Sequence, residues 1–306
     1  MDADPGYDEF GMLADNAAEV GLPFHRRPPV TRRSFAVAPG QDVSAIMWQS
    51  SLPELALLHG GGQNAHTWDT VALALGRPLV AVDLPGHGHS SRRSDRDYGP
   101  WRNADAVTAV LDQLHSRWPG RGLVVVGMSL GGVTAIRLAS TRPDLVRRMV
   151  IVDVTPQAHE HVAQLSRAAQ GAVALVTGPP VYETFEEMAA AAVALSPRRP
   201  RSAVERGVRH NSLQRPDGKW TWRYDLFDRP EGITDFAPLW DDVASLTMPV
   251  MLVRGGDSGF VSDADAERFR ELQPAARLET VPDSGHAVQS DQPLALARLI
   301  EDFALT

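Results

Sequence analysis

Residues 124–136 read VVVGMSLGGVTAI. An apolar run ends in Gly127-Met128-Ser129-Leu130-Gly131, and a helical Ala/Leu pattern starts at once. G-x-S-x-G at a strand-to-helix junction is the local pattern of a nucleophile elbow. The reason is steric: the turn holds the serine in a strained backbone conformation, and only glycine lets the neighbouring chain pass so close. The helix that starts at Leu130 points its first N–H groups and its dipole at charge developing near Ser129. The competing reading is a small-residue turn with no chemistry. The buried strand before it and the helix after it favour the nucleophile.

Working outward, short apolar runs alternate with helical patterns, which predicts a mostly parallel sheet flanked by helices, an α/β fold. Segments 54–60, 78–84, 123–128, 147–154 and 249–255 read as strands buried on both faces, and 277–282 as a further strand. Residues 32–49 predict an opening antiparallel pair. Helical patterns fall near 64–75, 102–117, 130–141, 263–272 and 291–304, the last with Ser290 as its cap and Pro293 in its first turn. Between Thr155 and Ser245 the alternation stops. That segment is Ala-rich and helical at 183–195, then Pro/Arg-rich, then aromatic at 219–227. The division expected is a loose arm at 1–30, a core made of 31–154 and 246–306, and a helical cap at 155–245.

The 306 residues, 43% of them hydrophobic, suffice for one large domain with an insertion. A formal charge of −8 and the lack of a long basic run argue against nucleic acid or an anionic membrane as partner. The acidic start MDADPGYDEF is not a secretory signal, and no apolar run approaches the ~18 residues of a transmembrane helix. With no cysteine, disulfides, thiolate zinc sites and a Cys nucleophile are all excluded. The expectation is a cytoplasmic globular protein.

Three further motifs carry chemistry. His59-Gly60-Gly61-Gly62 ends a strand, and the N–H of Gly61 (or Gly62) can join that of Leu130 in holding an oxyanion. The loop lacks the G-K-[ST] of a phosphate cradle, and no G-x-G-x-x-G is present. His59 is expected to hydrogen-bond locally. Asp83-Leu-Pro-Gly86-His87-Gly88-His89-Ser90 is a tight turn capped by Asp83. His87, His89 and the more distant His66 suggest a metal, but the set is expected to lack a carboxylate at helical spacing to complete it, so no metal and no cofactor are expected. Among ten histidines, His286 lies just past a strand in VPDSGH, downstream of the elbow, and is the candidate base.

Taken together, HGGG, DLPGHGHS, GMSLGG and a C-terminal SGH resemble the α/β-hydrolase superfamily, over about residues 31–154 and 246–306. The resemblance implies that fold, a cap where the insertion falls, and the order nucleophile, acid, histidine. By the family's spacing the acid falls at Ser258 or Gly259, and neither can serve. Asp257 stands one or two positions early. Asp153, at the end of the strand after the nucleophile helix, is the alternative and is favoured here, although relatives also use an aspartate there as a structural cap.

The implied reaction is hydrolysis of a carboxylic ester through an acyl-enzyme, Ser129 being activated by His286. Serine at the elbow argues against the dehalogenase and epoxide-hydrolase branches, which use aspartate. Met128, where carbon–carbon bond hydrolases often carry Asn, weakens that alternative; thioesters and lactones remain. A non-catalytic ligand receptor on the same fold is the rival reading. The expected substrate is a small molecule with an apolar acyl or aromatic group. Trp220, Trp222 and Tyr224 either line its pocket or form the cap's own core, and the cap is also a candidate homodimer surface.

Overall fold

The computed structural model describes residues 7–115, 122–158, 181–225 and 235–305. A short helix α1 (Leu13–Glu19) precedes an antiparallel pair, β1 (Val30–Ala38) and β2 (Gln41–Trp48). Then follow β3 (Leu55–Leu58), a 3-10 turn (Ala65–Trp68), α2 (Asp69–Leu75), β4 (Leu79–Val82), α3 (Pro100–His115), β5 (Leu123–Met128), α4 (Leu130–Thr141) and β6 (Val146–Val152). The eight-stranded sheet has the order β1-β2-β4-β3-β5-β6-β9-β10, where β9 is Val250–Gly255 and β10 is Arg277–Val281. From β4 to β10 every neighbouring pair is parallel.

The central strands are fully buried, as expected of apolar runs covered on both faces. One face packs α3 and α4 through Val107, Val110, Val133 and Ile136. The other packs Trp68, Val71, Leu296 and Ile300. After β3 the chain steps outward to β4 and then returns to β5 on the other side of β3. This reversal opens a crevice at the carboxyl ends of β3 and β5, where open α/β sheets place their sites.

Between β6 and β9, residues 181–225 lie apart from the sheet, where the insertion is expected. Among the described residues it contains α5 (Phe185–Ala194), α6 (Arg201–Asn211) and a small hairpin, β7 (Ser212–Gln214) with β8 (Trp220–Trp222). Thr184 caps α5 by accepting the Glu187 N–H at 3.1 Å. The chain rejoins the core earlier than the expected residue 246: in α7 (Leu239–Ala244), Leu239, Trp240 and Val243 pack into the main core. The core continues with α8 (Asp263–Leu272), α9 (Val288–Asp291) and α10 (Pro293–Ile300), and a π-helical turn (Glu301–Leu305) follows.

Two other expectations need correction. Ser290 does not cap the final helix; it lies inside α9, and the helical path breaks at Gln292 before Pro293 opens α10. Residues 7–30 are not loose. Leu13 is buried in the core and Ala17 beside it is buried too, while Glu9 accepts from Arg32 Nε at 2.5 Å. Arg206 of the cap donates to Asn16 at 2.7 Å and pairs with Glu19. Among the described residues, no helix is long and apolar enough to cross a membrane.

Candidate active site

Four adjacent strands each deliver one candidate residue to the same edge of the sheet. Ser129 follows β5, Asp153 follows β6, Ser258 lies in the loop after β9, and His286 in the loop after β10. Ser129 has φ 51° and ψ −119°, the strained backbone expected of the elbow. The glycines are required by proximity. A Cβ on Gly127 would sit 2.2 Å from the Gly131 carbonyl oxygen, and one on Gly131 equally close to that of Leu58.

Asp153 also has positive φ, 51°, and its side chain is almost wholly buried. Its Oδ1 accepts the Gly255 N–H at 2.9 Å, and its Oδ2 lies 2.8 Å from His286 Nδ1. Ser258 Oγ also donates to that Oδ2. Ser258, one of the two positions at which the family's spacing puts the acid, is thus a hydroxyl bonded to the carboxylate on the neighbouring strand. Asp257 is elsewhere: its Oδ2 pairs with Arg198 of the cap at 2.7 Å, and both side chains are nearly half exposed. Phe260 stacks on the His286 ring, centroids 3.4 Å apart and planes 10° apart, a contact that nothing in the sequence pattern announces.

The glycine loop lies against Ser129, since a Cβ on Gly60 would come within 3.3 Å of the serine Cβ. Two buried histidines hold this loop, both kept neutral by burial. His59 has its Nδ1 against Gly60 O at 2.7 Å and accepts the Leu84 N–H at 2.9 Å, the local role expected of it. His87 accepts the Gly62 N–H at Nε2, 3.1 Å away, and its Nδ1 faces Pro85 O; burial and then the nearby His59 push it down to about 3. Gly62 therefore has its N–H engaged. Among the described residues no hydrogen bond takes the Gly61 N–H, and Leu130, first in α4, has no intrahelical acceptor.

A family model described as the alpha/beta hydrolase fold matches residues 53–293. The chain belongs to this family. The hydrolase is 48% identical to the esterase Rv0045c of Mycobacterium tuberculosis over 96% of this chain and 95% of that one. A crystal structure of that esterase superposes with a TM-score of 0.85 at 44% identity, covering 99% of this chain and all of the other. Another, reported together with transition-metal inhibition of the same esterase, gives 0.85 at 46% identity over 98% and 100% of the two chains. The mouse sn-1-specific diacylglycerol lipase ABHD11 is 29% identical over 83% of this chain and 81% of its own.

In the hydrolase, Asp83 is structural, as its turn suggests. It accepts the Ala65 N–H at 2.7 Å, the His89 N–H at 3.0 Å and Arg32 Nη1 at 2.5 Å. Trp222 and Tyr224 are buried in the cap's own core with Met188 and Val208, their rings stacked at 5.5 Å. Trp220 packs edge-on against Phe185. Of the three, only Trp222 also borders a cavity of about 350 Å³ between cap and core, beside Gln63, Thr67, Val204, His210 and Gln289.

The histidine reading is corrected too. His66 does have a carboxylate at helical spacing, Asp69, at 2.8 Å, and it stacks on His210 of the cap rather than grouping with His87 and His89. Burial alone would lower the His66 pKa, but the Asp69 and Glu9 carboxylates raise it to about 9. Sequence reading also missed Arg198 and Arg199. Arg198 reaches Asp257, and Arg199 lies 3.6 Å from Asp291, whose Oδ2 accepts the Gly285 N–H at 2.9 Å. Neighbouring cap residues thus brace both loops behind His286.

Proposed function

We propose that the protein hydrolyses small carboxylic esters through an acyl-enzyme on Ser129. The observation that carries this reading is the hydrogen bond from His286 to buried Asp153, on strand ends next to a strained serine. With Nδ1–H donating to Asp153, the histidine presents Nε2 as a base. In the first step Ser129 Oγ attacks the ester carbonyl carbon while Nε2 takes its proton. Asp153 orients the resulting imidazolium and balances its charge, and the Gly61 and Leu130 N–H groups receive the oxyanion. His286 then returns the proton to the departing alkoxide. A water, deprotonated in turn by Nε2, attacks the acyl-serine and releases the acid.

Ser258 and the Gly255 N–H satisfy the other acceptor sites of Asp153, so this carboxylate stays aimed at the histidine. Similarity to an esterase over nearly the whole chain supports the same activity. We place an apolar acyl group in the cavity under the cap, against Val204, Val208 and Trp222; Gly62 and Gln289 line its side toward the glycine loop, and Ser129 and His286 lie outside its lining. Because the M. tuberculosis relative is described with transition-metal inhibition, the same response is expected here.

A fluorophosphonate probe tests the reading without a guess at substrate. Single labelling at Ser129, mapped by mass and abolished by Ser129→Ala, is the expected result. A folded protein that takes no label would overturn it.

A further inference from the structure

We propose that His66, Asp69 and His210 form a binding site for a divalent first-row transition metal such as Zn²⁺, through which the ion inhibits the enzyme by prising the cap from the glycine loop. Among the described residues, these are the histidine and carboxylate groups whose donor atoms gather within 4.8 Å of one another. His66 Nδ1 lies 2.8 Å from Asp69 Oδ2, and His210 Nε2 lies 3.9 Å from the same oxygen. Tetrahedral zinc with bonds of about 2.0–2.1 Å sets its ligand atoms roughly 3.3 Å apart, between these two separations.

Two independent features mark the cluster as a ligand site. The first is unmet bonding: Asp69 Oδ1 and His210 Nε2 have no hydrogen-bond partner among the described residues, although the residues are only 1% and 4% exposed. Buried polar atoms left in that state are uncommon and invite an ion or water. The second is the outer shell. His66 Nε2, the nitrogen not facing the site, lies 3.1 Å from Glu9 Oε1, and His210 Nδ1 lies 2.6 Å from Tyr7 Oη. Metal-bound histidines characteristically anchor their second nitrogen in this way. The cavity between cap and core, lined by both His66 and His210, gives an ion its entry and a solvent fourth ligand.

Binding displaces the proton that His66 Nδ1 shares with Asp69, and that proton leaves to solvent. Binding also breaks a stack. The two imidazoles lie 3.8 Å apart and within 10° of parallel, so their lone pairs converge on one ion only when a ring tilts. His210 sits near the end of α6, and next to it Asn211 Nδ2 donates to Gly62 O at 2.6 Å. The Asn64 side chain, in the same glycine loop, donates to the His210 carbonyl at 3.1 Å. A tilt of His210 is thus transmitted to the segment that presents the Gly61 N–H.

The inhibitory half of this inference rests on the ester-hydrolase reading; the binding half does not. The test combines three readouts with ZnCl₂: equilibrium dialysis, anomalous scattering from soaked crystals, and hydrolysis of p-nitrophenyl esters. Each variant's rate is taken relative to its own metal-free rate. The expected result is one ion per chain, with an anomalous peak between the three side chains. His210→Gln and Asp69→Asn should each weaken binding and inhibition by about tenfold or more. A peak at His286 with both variants inhibited like the parent would overturn the proposal, as would no uptake by the parent protein. Uptake at the cluster by a protein that hydrolyses no ester would sink the proposed activity and leave the site standing.

Discussion

Two loops at neighbouring strand ends each carry an aspartate, and their fates differ. After β6, Asp153 is buried, has positive φ and meets His286 at 2.8 Å. After β9, Asp257 turns outward to Arg198, and Ser258 takes the inward position instead. At this edge the carboxylate that meets the histidine is the one that is buried and held by further donors. Placement at the strand end is not enough, because the side chain must also point toward the adjacent strand.

The largest expected effect sets the scale for that contrast. Ser129→Ala should cost about 10⁴-fold or more in kcat on a p-nitrophenyl ester, and activity within tenfold of the parent would end the nucleophile assignment. Asp153→Asn should lower kcat by about 10⁴, because an amide no longer holds the histidine in its working tautomer. If the double variant Asp153→Ser, Ser258→Asp recovers part of that loss in the same assay, a carboxylate on either strand can serve His286. No recovery would limit the role to β6. Ser258→Ala removes one hydrogen bond to a charged group and should reduce kcat by about tenfold. Asp257→Asn should stay within about twofold of the parent, since exposed ion pairs contribute little. A loss as large as that of Asp153→Asn would reverse the comparison.

A smaller effect concerns the glycine loop and pH. His87 has its folded pKa depressed to about 3 from the ordinary 6.5. The unfolded chain therefore binds its proton first, and stability falls as pH drops from 6.5 toward 3. Protonation also removes the acceptor of the Gly62 N–H. Thermal midpoints measured across this window should fall with pH, and less steeply in His87→Gln.

Most of the fold was legible because its signals are local: apolar runs for strands, G-x-S-x-G for the elbow, glycines for the close approach of Gly127 and Gly131. Ser129, His286 and the strand end of Asp153 follow from order along a parallel sheet. The choice between Asp153 and Asp257 did not, since spacing along the chain says nothing of side-chain direction. Asp69, three residues after His66, was there to be read. His210 was not, because it comes from a distant insertion whose packing no local pattern encodes. The Arg198–Asp257 bridge is hidden for the same reason, and Phe260 over His286 because two core loops meet only once the sheet is formed. The arm was misjudged because its Pro, Gly and Arg content suggests a loose segment, while the buried Leu13 and Ala17 and the ion pairs of Glu9 and Glu19 dock it.

That docked arm has a consequence for how the molecule is made. Tyr7 is separated from its partner His210 by 203 residues. At typical synthesis rates of about 5–20 residues per second, Tyr7 waits roughly 10–40 s for that partner to be made. The contact between this arm and the cap is thus obliged to be among the later ones to form. Until the cap is complete, Tyr7 lacks the His210 ring that it holds in the finished enzyme.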